Sequence, residues 1–472
     1  MMRYALYVLL SLCYFQAIAT AAVDPFNTDS MLPSRQAPNL EGRSSTPCFL
    51  QTPDRPLNLN EVVDLALCNN PQTRELWANS KFYAAQLGIR KAAYLPSADL
   101  NASASRNQSG FGSGNNQSNL GLSLSYLLYD FGARSANLEL VQQQFAAARA
   151  SQDSTVQAVF LAAIQAFYRV QASTAALDAA LESERAARES YAAAEARFSA
   201  GSATRADKLQ AQTAYSQTTL NHITAEGNLK NAQGNLANIL GLDANRNVSL
   251  TAVNLSAIPA SFEGDIAALI EQARLHRPDL QAAAAQLKSA QASADAARAA
   301  DMPTLTLGAS ASQNSISGNS TDSSSIGINL NVPIFSGFAP TYRIRAAEAQ
   351  LENRAAQLER LRLQVALDVW TSYQNLVTST QSLRTTTDLL ESAEQSERVA
   401  LGRYKAGVGN MLDVLNAQST LASARQQRIQ SAFNWNTNRA ILAQSMGNLD
   451  ANLLQTLPSD QSVPTMRGNK SP

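Results

Sequence analysis

The chain has 472 residues, and its 37 Lys plus Arg balance its 37 Asp plus Glu, so its charge points to neither a nucleic-acid nor an acidic partner. Hydrophobic residues make up 45% but aromatics only 6%, a composition that favours closely spaced small side chains over one thick core. Beyond the N-terminus no apolar run reaches the roughly 20 residues that a helix needs to cross a bilayer.

Arg3, the apolar stretch Tyr4 to Ile18 and the small-residue run Ala19-Thr20-Ala21-Ala22 predict a secretory signal peptide over 1–22. Leu12 stands before Cys13 where a lipoprotein signal wants a small residue, so lipidation is not expected. Export leaves Cys48 and Cys68 as an even pair in an oxidising compartment, which predicts a disulfide; two buried free thiols are the alternative. Residues 23–56 read as an extended Pro-rich leader.

The body of the chain is written twice. AAYLPSADLNASAS at Ala92 matches AADMPTLTLGASAS at Ala299, Pro71 matches Pro278, Gly132 matches Gly337, and Gly241 matches Gly447, all at offsets of 205 to 207 residues. RFSAGSATRADKLQAQ at Arg197 and RYKAGVGNMLDVLNAQ at Arg403 repeat at 206. These landmarks predict repeats over 57–250 and 262–450, joined by a linker over 251–261. Residues 451–472 read as a disordered tail.

Each repeat opens with helix and then changes period. Leu120, Leu122, Leu124, Tyr126 and Leu128 alternate with Gly121, Ser123 and Ser125, and Ile326, Ile328, Leu330, Val332 and Ile334 with Gly327, Asn329 and Asn331. That is a strand pattern. Each run follows a second alternating segment, which predicts strand hairpins over about 98–130 and 304–335. The Gly, Ser and Asn rich connectors, roughly 107–119 and 313–325, read as loops. Such alternation suits a soluble sheet with one wet face or a transmembrane β-barrel with lipid outside and water inside. Tyr94, Tyr129, Phe131, Phe335 and Phe338 sit where strands meet helices, as an aromatic girdle at a membrane interface would. Four strands cannot close a barrel alone, so the membrane reading requires an oligomer.

The remainder reads as very long helix. Neither Gly nor Pro occurs from Ala133 to Ala200 or from Thr341 to Leu401. Val156, Phe160, Ala163, Phe167, Val170, Thr174, Leu177 and Leu181 form a coiled-coil seam, with a counterpart in Val369, Tyr373, Leu376, Thr380 and Leu383. Gly201 and Gly407 end these rods and begin the turns of two helical hairpins, with tips near 201–207 and 403–416. Asp207 and Asp413 then fall in the first turn of the returning helix, where the helix dipole favours a carboxylate. His222 and His276 lie in polar helical contexts without a Cys or Asp cluster and read as solvated helix residues. No catalytic constellation, metal site or cofactor motif is present, so an enzyme is not expected.

Together, the signal segment, LNLNEVVDLALCNNPQTR, the two copies of helix, strand hairpin and long helical hairpin, and the tip RYKAGVGNMLDVLNAQ resemble the TolC-like outer membrane factors. The resemblance implies an α+β membrane protein. In it, a homotrimer builds one twelve-stranded β-barrel, four strands per chain, in outer membrane lipid, continued by an α-helical coiled-coil barrel across the periplasm. It also implies an exit duct that meets a periplasmic adaptor and an inner-membrane ABC or proton-driven pump and passes drugs or secreted proteins. A soluble periplasmic coiled-coil adaptor or structural protein is the alternative.

The family's DVLD tip motif stands here as Asp413-Val414-Leu415-Asn416. Asp413 thus matches the first pore-facing aspartate and Asn416 departs from the second. In the family an aspartate of the first tip holds a Tyr and an Arg of the second. Asp207 and Tyr404 match, whereas the Arg position is Gly409, with Arg403 and Lys405 nearby.

Overall fold

A computed structural model describes residues 24–32, 55–107, 115–252, 265–316 and 319–449. The signal segment, Cys48 and the tail lie outside these residues, as does most of the leader and of the linker.

Helices α1 (Leu59–Asn69) and α2 (Pro71–Ala92) lead into strands β1 (Ser97–Asn107) and β2 (Asn115–Tyr129), then helices α3 (Ala133–Ser199) and α4 (Arg205–Ile239). The same order returns as α5 (Ile266–His276), α6 (Pro278–Ala299), β3 (Thr304–Ile316), β4 (Asn319–Asn331), α7 (Ala339–Lys405) and α8 (Met411–Ser445). Corresponding helices have equal lengths of 11, 22, 67 and 35 residues. At about 1.5 Å per residue, α3 and α7 are each on the order of 100 Å long.

The chain divides into two compact units, with α3 and α7 running through both. One holds the sheet, most of α2, α6 and the first turns of the long helices. The strands pair antiparallel in the order β1-β2-β3-β4, in a register that sets Leu100 opposite Leu122, Leu122 opposite Ala311 and Leu307 opposite Ile328. One face therefore carries Leu100, Leu120, Leu122, Leu124, Ile326, Ile328 and Leu330, all exposed. The other carries small polar groups, among them the hydroxyl pairs Ser310–Ser325 and Ser312–Ser323 at 2.8 Å each.

The strands run further toward their hairpin loops than the sequence pattern suggested, whereas β4 stops at Asn331, so Val332 and Ile334, expected in the strand, lie beyond it; Pro333 between them has no N–H to give a ladder. Asn115–Asn119, Gln313–Ile316 and Asn319–Ser325, expected as connector, are strand. Main-chain pairing does not need apolar side chains, so the ladder runs on after the hydrophobic alternation stops.

The second unit contains α1, α4, α5, α8 and the greater part of α3 and α7. The Asn58 side chain caps α1 by accepting from Glu61 N at 2.9 Å, and Asn58 N donates in turn to Glu61 Oε2 at 3.0 Å. That fixes Leu57, Val62, Val63 and Leu67 in a core with Phe160, Ile164, Phe167, Leu236 and Leu240. Leu57 also pairs with strand-like residues beyond α4: its N–H donates to Ser249 O and its carbonyl accepts from Thr251 N, both at 2.9 Å.

The predicted seam of α3 is buried from Val156 to Val170 but then leaves the interior. Thr174 and Leu181 are exposed, and the buried line is resumed by Ala187, Ser190 and Ala194. A straight helix drifts about 20° per heptad against a strict seven-residue repeat, which carries the seam round the rod. In α7 the shorter seam stays in place: Val369, Leu376, Thr380 and Leu383 are buried and Tyr373 partly so.

Candidate functional site: strand junctions and hairpin tips

Two regions gather the residues singled out in the sequence. At the strand–helix junctions, Tyr94, Tyr129, Phe131, Phe335 and Phe338 are all exposed. Tyr129 and Phe131 meet edge to face at 4.8 Å, as do Phe335 and Phe338 at 5.5 Å. Phe131 and Phe338 hold left-handed backbones, φ 50° and 60°, a strain of about 1–2 kcal/mol for a non-glycine residue. Arg134 lies 5.0 Å from the Tyr94 ring while its Nε donates to Asp130 at 3.1 Å. In both halves, exposed apolar strands thus end in exposed rings.

At the hairpin tips the two halves are built alike. α3 ends with Gly201 at φ 72°, Ser202 N donating to Arg197 O at 2.9 Å and Gly201 N to Phe198 O at 3.0 Å. α7 ends with Gly407 at φ 78°, Val408 N donating to Arg403 O at 3.0 Å and Gly407 N to Tyr404 O at 3.1 Å. Both glycines take the left-handed position of a Schellman turn, where a Cβ would be strained.

The aspartates that follow do different things. Asp207 is spent on its own turn: Oδ2 accepts from Thr204 N at 3.0 Å and Thr204 Oγ1 at 2.7 Å, closing a capping box for α4. Asp413 contributes its backbone instead, donating N–H to Asn410 Oδ1 at 2.7 Å. The Asp413 carboxylate is exposed, and so is Asn416 one turn on; neither side chain has a hydrogen bond among the described residues. The Asp413 carboxylate is therefore left without a local partner, whereas that of Asp207 is not.

Tyr404 is buried, and the side chain the structure brings to it is that of Arg197 rather than Asp207. The Arg197 guanidinium lies 4.1 Å from the ring centroid, and its Nη2 donates to Tyr404 O at 3.1 Å, at the C-terminus of α7 where a cation is favoured. Ala194, Ala211, Met411 and Val414 pack around it. Arg403, Lys405 and Gly409 take no part in this contact. The signal for Arg197 was the repeated Arg itself, one residue before an aromatic in both tips.

Polar rungs extend inward from the tips. Between α3 and α4, Lys208 pairs with Glu195 at 2.9 Å, and Arg188 donates to the Tyr215 hydroxyl at 3.0 Å. Glu184 receives Thr219 Oγ1 and faces His222 Nδ1, each at 2.8 Å. His222 is thus carboxylate-partnered, correcting its reading as a solvated residue; a helix-surface histidine 38 positions from its acid cannot be paired from local pattern. His276 is exposed beside Gln272 O at 2.9 Å. Thr219, and after it His222, hold the Glu184 carboxyl below the usual carboxylate range, and Glu195 raises the Lys208 ammonium. Between α3 and α8, Ser190 and Gln418 are hydrogen-bonded at 3.1 Å, and Glu182 pairs with Arg425 at 2.9 Å.

Among the described residues no group of His, Cys, Asp and Glu could hold a metal, and no helix is long and apolar enough to cross a membrane. Cys68 is disulfide-bonded.

Comparison with known proteins bears on these features directly. The family model described as outer membrane efflux protein matches residues 62–242 and 269–448. Protein CyaE of Bordetella pertussis is 34% identical over 402 residues, covering 83% of this chain and 84% of that one. Outer membrane protein TolC of Escherichia coli is 24% identical over 427 residues, covering 86% and 85%. Among solved structures, the Campylobacter jejuni CmeC outer membrane channel superposes with a TM-score of 0.76 at 20% identity, over 89% of this chain and 94% of that one. The open state of the Neisseria gonorrhoeae MtrE outer membrane channel gives 0.75 at 22% identity, over 89% and 99%.

Proposed function

Because the chain belongs to the outer membrane efflux protein family, and so is an export channel of the outer membrane with its helical part in the periplasm, we propose that three copies build its duct. The observation that carries this is the sheet. β1 and β4 are its edges, and one of its faces is a bare band of Leu and Ile. Backbone groups unpaired in lipid cost several kcal/mol each, so the β4 edge of one copy must meet the β1 edge of the next. Three copies then give a closed twelve-stranded barrel, Leu and Ile toward lipid and Ser and Gly toward water. The ring at Tyr94, Tyr129, Phe131, Phe335 and Phe338 sits at the lipid boundary, and the helices continue the tunnel.

At the tips, Asp413 supplies one ring of three carboxylates, and Asn416 leaves the second ring of the family pattern neutral. The duct meets a periplasmic adaptor and an inner-membrane ABC or proton-driven pump, passes drugs or secreted proteins, and performs no catalysis itself. Cys68 is assigned to Cys48, fastening the leader to α1; peptide mapping without reductant should find the linked pair, and a different partner for Cys68 would overturn it. For the duct, a chain lacking residues 98–130 should neither assemble as a trimer in the outer membrane nor conduct in planar bilayers. Normal assembly of that deletion would refute the barrel.

A further inference from the structure

We propose that a cleft between α2, α3, α6 and α7 of one chain binds a sugar acid, a pyranose that carries a carboxylate. The cleft has a volume of about 360 Å³ and lies wholly within the unit that holds the sheet. A single chain builds it, so the inference goes beyond the duct and does not rest on the number of copies.

Corresponding positions of the two halves line this cleft together. Asn79 of α2 and Gln286 of α6 are 207 residues apart, and Gln144 of α3 and Gln350 of α7 are 206 apart, so each half contributes a matching pair of amides. At two further positions the halves diverge. Tyr83 lines the cleft where its counterpart is Ala290, and Arg354 where its counterpart is Ala148. One half thus adds a ring and the other a cation.

Most of these polar groups are unspent. Among the described residues the side chains of Asn79, Gln144 and Gln350 have no hydrogen bond, and neither has the Tyr83 hydroxyl. Arg354 donates only through Nη1, to Gln286 Oε1 at 3.2 Å and Gln357 Oε1 at 2.9 Å, which leaves Nε and Nη2. Ser289 lines the cleft at 9% exposure, and its hydroxyl has no hydrogen-bond partner among the described residues. A hydroxyl so buried is normally bonded, so it is turned to whatever fills the cleft. The Tyr83 ring packs against the Leu87, Val141 and Phe145 core, which holds a flat surface at the cleft wall.

The lining selects the ligand. Among the described residues it contains no carboxylate, imidazole or thiol, so it offers no donor set for a metal ion and no counter-charge for a polyamine. Its aliphatic side chains are Leu140 and alanines, little apolar surface for a lipid or a hydrophobic drug. Amides and hydroxyls both donate and accept, as sugar hydroxyls do. A pyranose also has an apolar C–H face that lies flat on a phenol ring. A guanidinium with Nε and Nη2 free takes a carboxylate. A free sugar acid in the periplasm and a muramic acid residue of the cell-wall glycan present this same chemistry.

The test uses the full chain, purified from the outer membrane in a detergent without a sugar headgroup and titrated with N-acetylmuramic acid in a calorimeter. Saturable binding is expected, with N-acetylglucosamine, which lacks the carboxylate, about tenfold weaker or more. Arg354→Gln should bring the acid down to the level of the neutral sugar. Gln144→Glu removes no contact, so it keeps the test open should Arg354→Gln fail to assemble. It should weaken the acid about tenfold or more by like charge and leave the neutral sugar unchanged. Sedimentation with purified insoluble cell wall separates the two sources. Wild type carried into the pellet, with Gln144→Glu left in solution, assigns the site to the wall glycan; both proteins left in solution assigns it to the free acid. No saturable binding of N-acetylmuramic acid, or equal binding by wild type and both variants, would overturn the proposal and leave the duct standing.

Discussion

Arg197 of the first hairpin and Tyr404 of the second are joined twice, by a guanidinium 4.1 Å above the ring and by a hydrogen bond of 3.1 Å to the Tyr404 carbonyl. The carbonyl lies in the last turn of α7 and also accepts from Gly407 N. One side chain of α3 therefore reads both the ring and the helix end of α7.

Removing that side chain should loosen the tips. Arg197→Ala is expected to cost about 1–2 kcal/mol in a double-mutant cycle with Tyr404→Leu, and to raise the conductance of single channels in planar bilayers. Equal conductance in wild type and variant would show that the contact does not restrain the entrance.

The Asp413 carboxylate is exposed and unspent, so its removal should be read in the pore and not in stability. Asp413→Asn keeps the backbone bond to Asn410 Oδ1 and is expected to raise the half-blocking concentration of a trivalent cation by about tenfold, equivalent to about 1.4 kcal/mol. Asp207→Asn, which alters a capping box, should leave the block unchanged and lower thermal stability instead.

The two faces of β2 should respond oppositely to charge. In the proposed barrel Leu122→Arg turns a guanidinium toward lipid and is expected to cost about 2–4 kcal/mol of folding into bilayers. Ser123→Arg, on the opposite face, should fold normally and change conductance. Folding yield into lipid vesicles separates them.

The Glu184 rung should appear in acid. Its carboxyl is held below the usual range chiefly by the Thr219 hydroxyl and then by His222. A depressed acid contributes stability that is complete above its unfolded value of about 4.3 and is lost as pH falls through the lower folded value. Glu184→Gln is therefore expected to melt earlier at neutral pH and to show a shallower fall of midpoint on acidification below about pH 4. Parallel melting curves for the two proteins would rule the rung out as a source of stability.

Much of this protein is local in origin and was legible in the residues. The helix starts and stops are set by Asn58, Thr204, Asn410, Gly201 and Gly407, each acting within a few residues. The alternation along β2 and β4 was equally plain, because a sheet with one bare face needs it. The strand ends were harder, since polar residues pair through their backbones as readily as apolar ones. The late part of the α3 seam was misjudged for another reason: burial there follows the true twist of the rod.

The sequence by itself determined the order of the elements, their repetition at a nearly constant offset and the place of Asp413 in a first turn, since each is fixed by neighbours along the chain. Only the tertiary structure decided that Arg197 lies on Tyr404, that His222 faces Glu184, and that Arg425 pairs with Glu182. Those are contacts between rods many residues apart, and their register depends on how whole helices pack, which no local spacing encodes.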